Sequence, residues 1–270
     1  MKLYHLMILA TAAVCLGACN SSPKKEVADI YTDTLTYQFK SINSKADDCA
    51  GKPDSACTTV KFKYPAFDKQ PLLNDAVVTG LATLMDRQKG IAGLQRLTWQ
   101  FLQDYKDFKK EDPKSVMFFT LDCKVNVVRQ DSSLVGLEYN GYQFSGGAHG
   151  ATFIKYLNWD VTGKKKILLS DLLKPGSEIE LNKVAEKIFR KQENLTETAS
   201  LKDNYFFKDD KFALNQNYLI TPLGLTFIYN QYEIKPYAAG QTTLNIPYSQ
   251  IKTLLQPNTV VARYTNNAGI

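Results

Sequence analysis

Few side chains in this chain can do chemistry near neutral pH. His149 is one of two histidines in 270 residues, and the other, His5, lies in an N-terminal segment read below as removable. An imidazole titrates in the physiological range. His149 is therefore a ligand contact or a proton-transfer group, or else an imidazole that bonds neighbouring backbone and fixes a turn. Its setting, Ser145-Gly146-Gly147-Ala148-His149-Gly150, permits positive φ and close backbone approach. A lone histidine excludes the usual zinc hydrolase sites, which use two or three. A Ser-His-Asp site would have to use His149, and no Gly-x-Ser-x-Gly elbow accompanies it. No P-loop or dinucleotide fingerprint occurs.

Tyr232, Glu233 and Tyr237 cluster around Pro236. Aromatic faces stack on sugar rings and a carboxylate orients hydroxyls, so these residues could line a glycan groove. The other reading is a packed corner whose tyrosine hydroxyls satisfy buried backbone. Tyr142, just before the glycine-rich turn, joins His149, Tyr232, Glu233 and Tyr237 as a candidate ligand-binding residue. Asp160 and Asp171 read as turn and helix-capping groups. A two-carboxylate glycosidase stays open beside that, since acid pairs obey no spacing rule. Trp99 and Trp159 read as core or groove-edge residues. No catalytic residue, metal site or cofactor is assigned.

The cysteines carry a different chemistry. Leu6 to Leu16 is apolar and about as long as a signal-peptide core. It ends in Leu16-Gly17-Ala18-Cys19, which resembles the bacterial lipobox at all four positions. That resemblance implies acylation of Cys19 by a diacylglycerol and cleavage after Ala18. Two or three acyl chains hold a protein stably on a membrane. Residues 19–28 would then be a polar tether. Asn20 is not aspartate, so attachment to an outer membrane is expected where the cell has one. Outside the cytosol a disulfide persists. Cys49 and Cys57 flank a turn-rich loop and are expected to bridge, stapling a hairpin. Cys123 lies in a strand pattern and reads as a buried free thiol.

Positioning these groups falls to a mixed set of elements. The composition, 44% hydrophobic and 22% charged, is that of a globular protein. No apolar run is long enough to span a bilayer. The net charge of +6 is spread along the chain, unlike the basic stripe of a nucleic-acid binder. Lys164-Lys165-Lys166, the densest run, reads as a solvated turn. Ile30–Ile42 and Thr58–Tyr64 read as strands, with Pro65 to Pro71 as a break. Apolar spacing predicts helices over Leu72–Gln88 and Ile91–Phe108. Val116–Val128 and Ser133–Phe144 read as a hairpin and Ala151–Trp159 as a further strand. A helix over Ser177–Gln192 follows, then a hairpin of Asn217–Ile220 with Leu225–Tyr229 and a strand over Thr242–Ile246. Ser249 would cap a short helix to Leu255. Strands and helices mix without βαβ alternation, so the expected class is α+β. It would comprise mixed or antiparallel sheets, two helices in the N-terminal half and a C-terminal helix-plus-sheet subdomain.

Three segments in order carry a family resemblance. They are Tyr139-Asn140-Gly141-Tyr142 with Ser145 to Gly150; Leu157-Asn158-Trp159-Asp160 with Thr162-Gly163 and Leu168 to Leu173; and Phe227 to Ile234 with Pro236 to Gly240, closing in Ile246-Pro247-Tyr248-Ser249. Together they resemble the paired extracytoplasmic domains of unknown function numbered 4163 and 3298. Those domains accompany the peptidoglycan deacetylase PdaC and form the outer part of the lysozyme-sensing anti-sigma factor RsiV. With the lipobox leader over 1–18 and the tether over 19–28, the resemblance implies a first α+β subdomain over 29–160 and a second over 161–264, with a tail over 265–270. Nothing here corresponds to the deacetylase's catalytic domain or to the anti-sigma factor's transmembrane helix. What remains implies a lipid-anchored envelope protein that binds rather than cuts. Its expected partners are the membrane through the N-terminal lipid, and peptidoglycan or a lysozyme-like protein, with no nucleic acid. A carboxylate-dependent glycan hydrolase and a structural envelope lipoprotein are the alternatives.

Overall fold

The computed structural model describes residues 35–85 and 93–266. The apolar leader, the tether and Cys19 lie outside the described residues. The class is α+β: a six-stranded mixed sheet, a three-stranded sheet and several helices.

The large sheet takes its strands in chain order. β1 (Tyr37–Lys45) pairs antiparallel with β2 (Thr59–Phe67). β3 (Thr120–Gln130), β4 (Leu134–Phe144) and β5 (Ala151–Asp160) form an antiparallel meander, and β6 (Lys165–Lys166) adds a short last strand. Among the described strands only β2 and β3 run parallel. A parallel pair needs a crossover connection. Here it is α1 (Pro71–Met85) followed by α2 (Leu94–Glu111).

The two helices cover one face of the sheet. Leu73, Val77 and Leu81 of α1 and Leu97, Phe101 and Tyr105 of α2 recur at helical spacing and are buried. They pack with Val60, Phe62, Leu121, Val125, Leu137 and Leu157 from alternate strand positions in a first core. Gly80 lets α1 approach the sheet. A Cβ there would lie 2.5 Å from the hydroxyl of the fully buried Tyr139. Cys123 is a buried free thiol in this core, and burial, with Asp122 second, pushes its pKa up to about 12.

The small sheet has the order β7 (Tyr218–Ile220), β8 (Gly224–Tyr229) and β9 (Thr242–Pro247), all antiparallel. α4 (Glu178–Gln192) lays Leu181, Ala185 and Phe189 on it, preceded by the single turn α3 (Leu169–Leu172). Phe207, Phe212, Phe227 and Leu244 help fill this second core. The short helices α5 (Tyr248–Ile251) and α6 (Ala262–Asn266) close the described chain.

Side-chain amides join the two sheets. Outward-facing backbone on β5 lacks a strand partner over much of its length, and unpaired backbone groups are costly to bury. Asn230 Oδ1 accepts from Ile154 N at 2.7 Å and its Nδ2 donates to Ile154 O at 2.9 Å. Asn217 accepts from Tyr156 N and donates to the same carbonyl, both at 2.8 Å. In return the buried Asn158 accepts from Ile220 N and donates to Tyr218 O. Each amide carries N–H donors and a carbonyl acceptor side by side, so it can bond both groups of a strand edge.

Several boundaries depart from the sequence reading. β1 runs three residues past Ile42, because β2 offers it partners as far as Lys45↔Thr59. β2 passes through Pro65 without a break. Its pairing with β3 ends at Lys63↔Lys124, so beyond that point one side of β2 is unpaired and a missing N–H costs the ladder nothing. β3 begins at Thr120, and Val116, 97% exposed, precedes it outside any strand. Lys165 and Lys166 form β6 rather than a turn. Ser249 lies inside α5, whose N-cap position is Pro247.

Candidate functional site

The turn from β4 into β5 is built by two glycines. Gly146 has φ 95° and Gly147 φ 92°, a region open to glycine at little cost. The turn puts His149 on the surface. Its Nδ1 lies 3.1 Å from the Gly150 carbonyl. A carbonyl can only accept, so Nδ1 is the donor in this contact.

The loop between β8 and β9 supplies the rest. Tyr237 opens a 3₁₀ turn, Tyr237–Ala239, that Pro236 starts and Gly240 (φ 68°) ends. Its ring lies face to face with His149, centroids 3.8 Å apart and planes 17° from parallel. Tyr232 completes the cluster at 5.6 Å from Tyr237 and 6.4 Å from His149. Tyr232 is 57% exposed and holds φ 66°, a strained backbone for a bulky residue. Such strain persists only where the surroundings over-determine it. Glu233 is part of those surroundings. Its Oε2 accepts from Asn230 N and its Oε1 from Asn215 Nδ2, which ties the turn to the strand before it. The remaining lone pairs of Glu233 face solvent, since the residue is exposed.

The structure thus brings His149, Tyr232 and Tyr237 into one exposed aromatic cluster, with Glu233 bracing it. Tyr142 sits beside the cluster and outside the stack. Its ring lies against Gly150, where a Cβ would come within 2.4 Å of the Tyr142 hydroxyl. Asp160 and Asp171 lie away from these rings. Asp160 Oδ1 accepts from Gly163 N at 2.7 Å and closes a turn. Asp171 Oδ2 accepts from Leu168 N at 2.8 Å, and that bond is the main cause holding its carboxyl below the usual range, with Lys165 adding to it against burial. Both aspartates border a polar cavity of about 440 Å³ with Lys165 and Arg263. Trp159 is core, whereas Trp99 is 57% exposed and edges an apolar groove of about 310 Å³ on α2. Among the described residues no group of three or more His, Cys, Asp or Glu is placed to hold a metal ion.

Two features escaped sequence reasoning. One is a buried polar knot at the β3–β4 turn. Arg129 donates to Tyr264 Oη at 2.6 Å, Tyr264 donates to Asp131 Oδ2 at 2.8 Å, and Arg263 Nη1 lies 3.0 Å from Asp131 Oδ1. The Asp131 carboxylate also accepts from the backbone of Ser133 and Leu134. Burial would raise its pKa. The Ser133 and Tyr264 bonds and the Arg263 and Arg129 charges outweigh that and hold it below the usual range. The other is a pocket of about 410 Å³ along β5, into which Lys155 and Lys166 both project. Neither left a signal, because both are assembled from residues far apart in sequence. The cysteines did leave one: Cys49 and Cys57 are disulfide-bonded, Cα atoms 5.4 Å apart, across the loop joining β1 to β2.

A two-sheet α+β module whose halves meet at an exposed His–Tyr stack is the class defined by these features. Residues 52–152 match the family model described as Deacetylase PdaC, and residues 170–249 match that of a protein of unknown function, DUF3298. The chain is 23% identical over 167 residues to the peptidoglycan-N-acetylmuramic acid deacetylase PdaC of Bacillus subtilis (strain 168). That alignment covers 58% of this chain and 33% of the relative, so the chain spans about a third of the length of the curated protein it matches. Two crystal structures share the fold. A DUF3298 family protein of Pseudomonas aeruginosa PAO1 has a TM-score of 0.67 at 24% identity, covering 84% of this chain and 96% of that one. A member of the same family from Bacteroides fragilis has a TM-score of 0.68 at 20% identity, covering 88% and 100%. His149 falls in the first matched segment and Tyr232 and Tyr237 in the second, so the stack draws on both.

Proposed function

We propose that this protein is a non-catalytic binding module of the cell envelope, anchored by lipid at Cys19, and that the His149–Tyr237–Tyr232 cluster binds cell-wall glycan. The observation that carries the reading is the parallel stack of exposed His149 on half-buried Tyr237, with exposed Tyr232 beside it. Rings used only for packing are buried, as Phe227 and Tyr229 are next door. Rings left partly in water on a braced loop are suited to apolar sugar faces. The likeness to a peptidoglycan deacetylase supports a wall polymer as ligand. The Cys49–Cys57 bond suits a compartment outside the cytosol.

The carboxylate-hydrolase alternative has less support. Asp160 and Asp171 are engaged in a turn and a cap, and Glu233 braces a loop. The test is co-sedimentation of the full-length chain with purified peptidoglycan sacculi, with lysozyme as a parallel bait. Wild-type protein is expected in the pellet, and His149→Ala and Tyr237→Ala are expected to lower retention several-fold. Equal retention of both variants would refute the site. Capture of lysozyme and not of sacculi would transfer the function to a protein partner. Labelling with a clickable palmitate analogue, abolished by Cys19→Ser, tests the anchor.

A further inference from the structure

The same β8–β9 loop that carries Tyr232 also walls the pocket of about 410 Å³ on the edge of β5. Lys155 on β5 and Lys166 on β6 both line it, together with Asn215, Gln216, Asn217 and Glu233. Lys155 is half-buried and donates to Thr83 Oγ1 at 3.0 Å. An ammonium offers three donors, and this bond uses one. Among the described residues no carboxylate lies within ion-pair distance of Lys155 or Lys166. The ion pairs of the molecule go elsewhere, including that of Lys165, which turns to Asp171. Glu233 shares the pocket wall, but its oxygens bond Asn230 and Asn215 rather than either lysine.

Two like charges facing one cavity, one of them half-buried, repel each other unless an anion enters. Burial, and then the charge of Lys166, hold the Lys155 ammonium below its ordinary pKa. An anion between them would offset both effects. The volume falls in the range of small-ligand sites, and the exposed amide of Gln216 on its wall offers hydrogen bonds to hydroxyls. Lys155 lies six positions after His149, so the stack and the pocket lie at most about 20 Å apart along the strand. A short oligosaccharide spans that distance.

We propose that Lys155 and Lys166 form an anion subsite, and that the ligand of this surface is a carboxylate-bearing glycan with a sugar ring on the aromatic stack and its acid group in the lysine pocket. The inference rests on the glycan reading of the stack and adds the charge of the ligand to it.

The experiment titrates the full-length chain with a galacturonate tetramer, with its fully methyl-esterified counterpart and with inorganic phosphate, by calorimetry. The acid form is expected to bind roughly tenfold tighter than the ester. Lys155→Gln and Lys166→Gln are each expected to erase most of that preference and leave ester binding unchanged. Tyr237→Ala is expected to weaken both forms alike. Lys166 is an exposed surface position, so its variant keeps the test valid should Lys155→Gln unfold. Equal affinity for acid and ester, with Tyr237 still required, overturns the subsite and leaves the stack reading standing. Lysine-dependent binding of the acid that ignores Tyr237 supports the subsite and overturns the stack. Phosphate binding as tightly as the tetramer would make this a free-anion site and overturn the glycan assignment, as would failure of both sugars to bind.

Discussion

Two places in this molecule join its halves through aromatic and charged side chains, and they could hardly differ more in how those side chains are used. At the β3–β4 turn, Arg129, Asp131 and Tyr264 are buried and bonded to one another. At the β4–β5 turn, His149, Tyr232 and Tyr237 meet ring to ring, and the first two stand in solvent. The two sites sit at opposite ends of β4, roughly 30 Å apart. The difference teaches how to separate a clasp from a binding surface. A clasp uses its hydrogen-bonding capacity on itself, while a binding surface keeps faces and lone pairs unspent.

Breaking the clasp should have the largest effect. Asp131→Ala breaks the buried ion pairs that its carboxylate makes with Arg129 and Arg263, which costs about 3–5 kcal/mol. Urea denaturation is expected to show that loss. Retention on sacculi, measured where the variant is still folded, should be unchanged. If Asp131→Ala were as stable as wild type, the knot would not be a clasp at all. Removing the Cys49–Cys57 bond by double substitution to serine is expected to cost about 2–3 kcal/mol, from the chain entropy of so short a loop. That loss should again leave ligand retention intact.

Acid sharpens the same contrast. The Asp131 carboxyl is held below its unfolded pKa of about 3.9. Its contribution is therefore fully present above that value and is lost as pH falls through the lower folded value. Stability of the wild type should decline over that acid window more steeply than that of Asp131→Asn, as followed by thermal melts across pH. At the exposed end the order of effects reverses. His149→Ala and Tyr237→Ala should change stability by less than about 1 kcal/mol, as surface substitutions do. Each should still weaken sugar binding about two- to tenfold, the equivalent of one aromatic contact. A variant that lost both stability and binding would mean that the stack is packing after all. The mildest test concerns Cys123. Its burial should keep it unreactive to iodoacetamide in the native state and expose it only in denaturant.

Much of the architecture could be read from local pattern. Thr58–Tyr64 alternates because one face of β2 meets α1 and α2, and Leu73, Val77 and Leu81 recur at helical spacing because α1 buries that stripe. Pro65 misled because its cost depends on whether a neighbour occupies that side of the strand, which only the sheet order decides. Ser249 misled because Pro247 had already begun the turn. At the candidate site the composition of each loop was legible: glycines around His149, tyrosines around Pro236. Their meeting was not, since β4–β5 and β8–β9 are separated by more than one intervening subdomain element. Arg129 and Asp131 looked like an ordinary turn because their partner, Tyr264, lies 135 residues after Arg129 and 133 after Asp131. Lys155 read as a strand residue because nothing local shows that its partner in the pocket is another lysine.

The asparagines that cover the open edge of β5 also guard it against other chains. A border strand with vacant backbone is a template on which another chain can crystallise as a growing ribbon. Asn217 and Asn230 occupy those vacancies from the second half of the molecule. The C-terminal half therefore acts as a stopper as well as a neighbour. Cut free of it, the first half would carry a sticky margin and should tend toward fibres or exchanged dimers, so the two halves are best inherited, expressed and engineered as one piece.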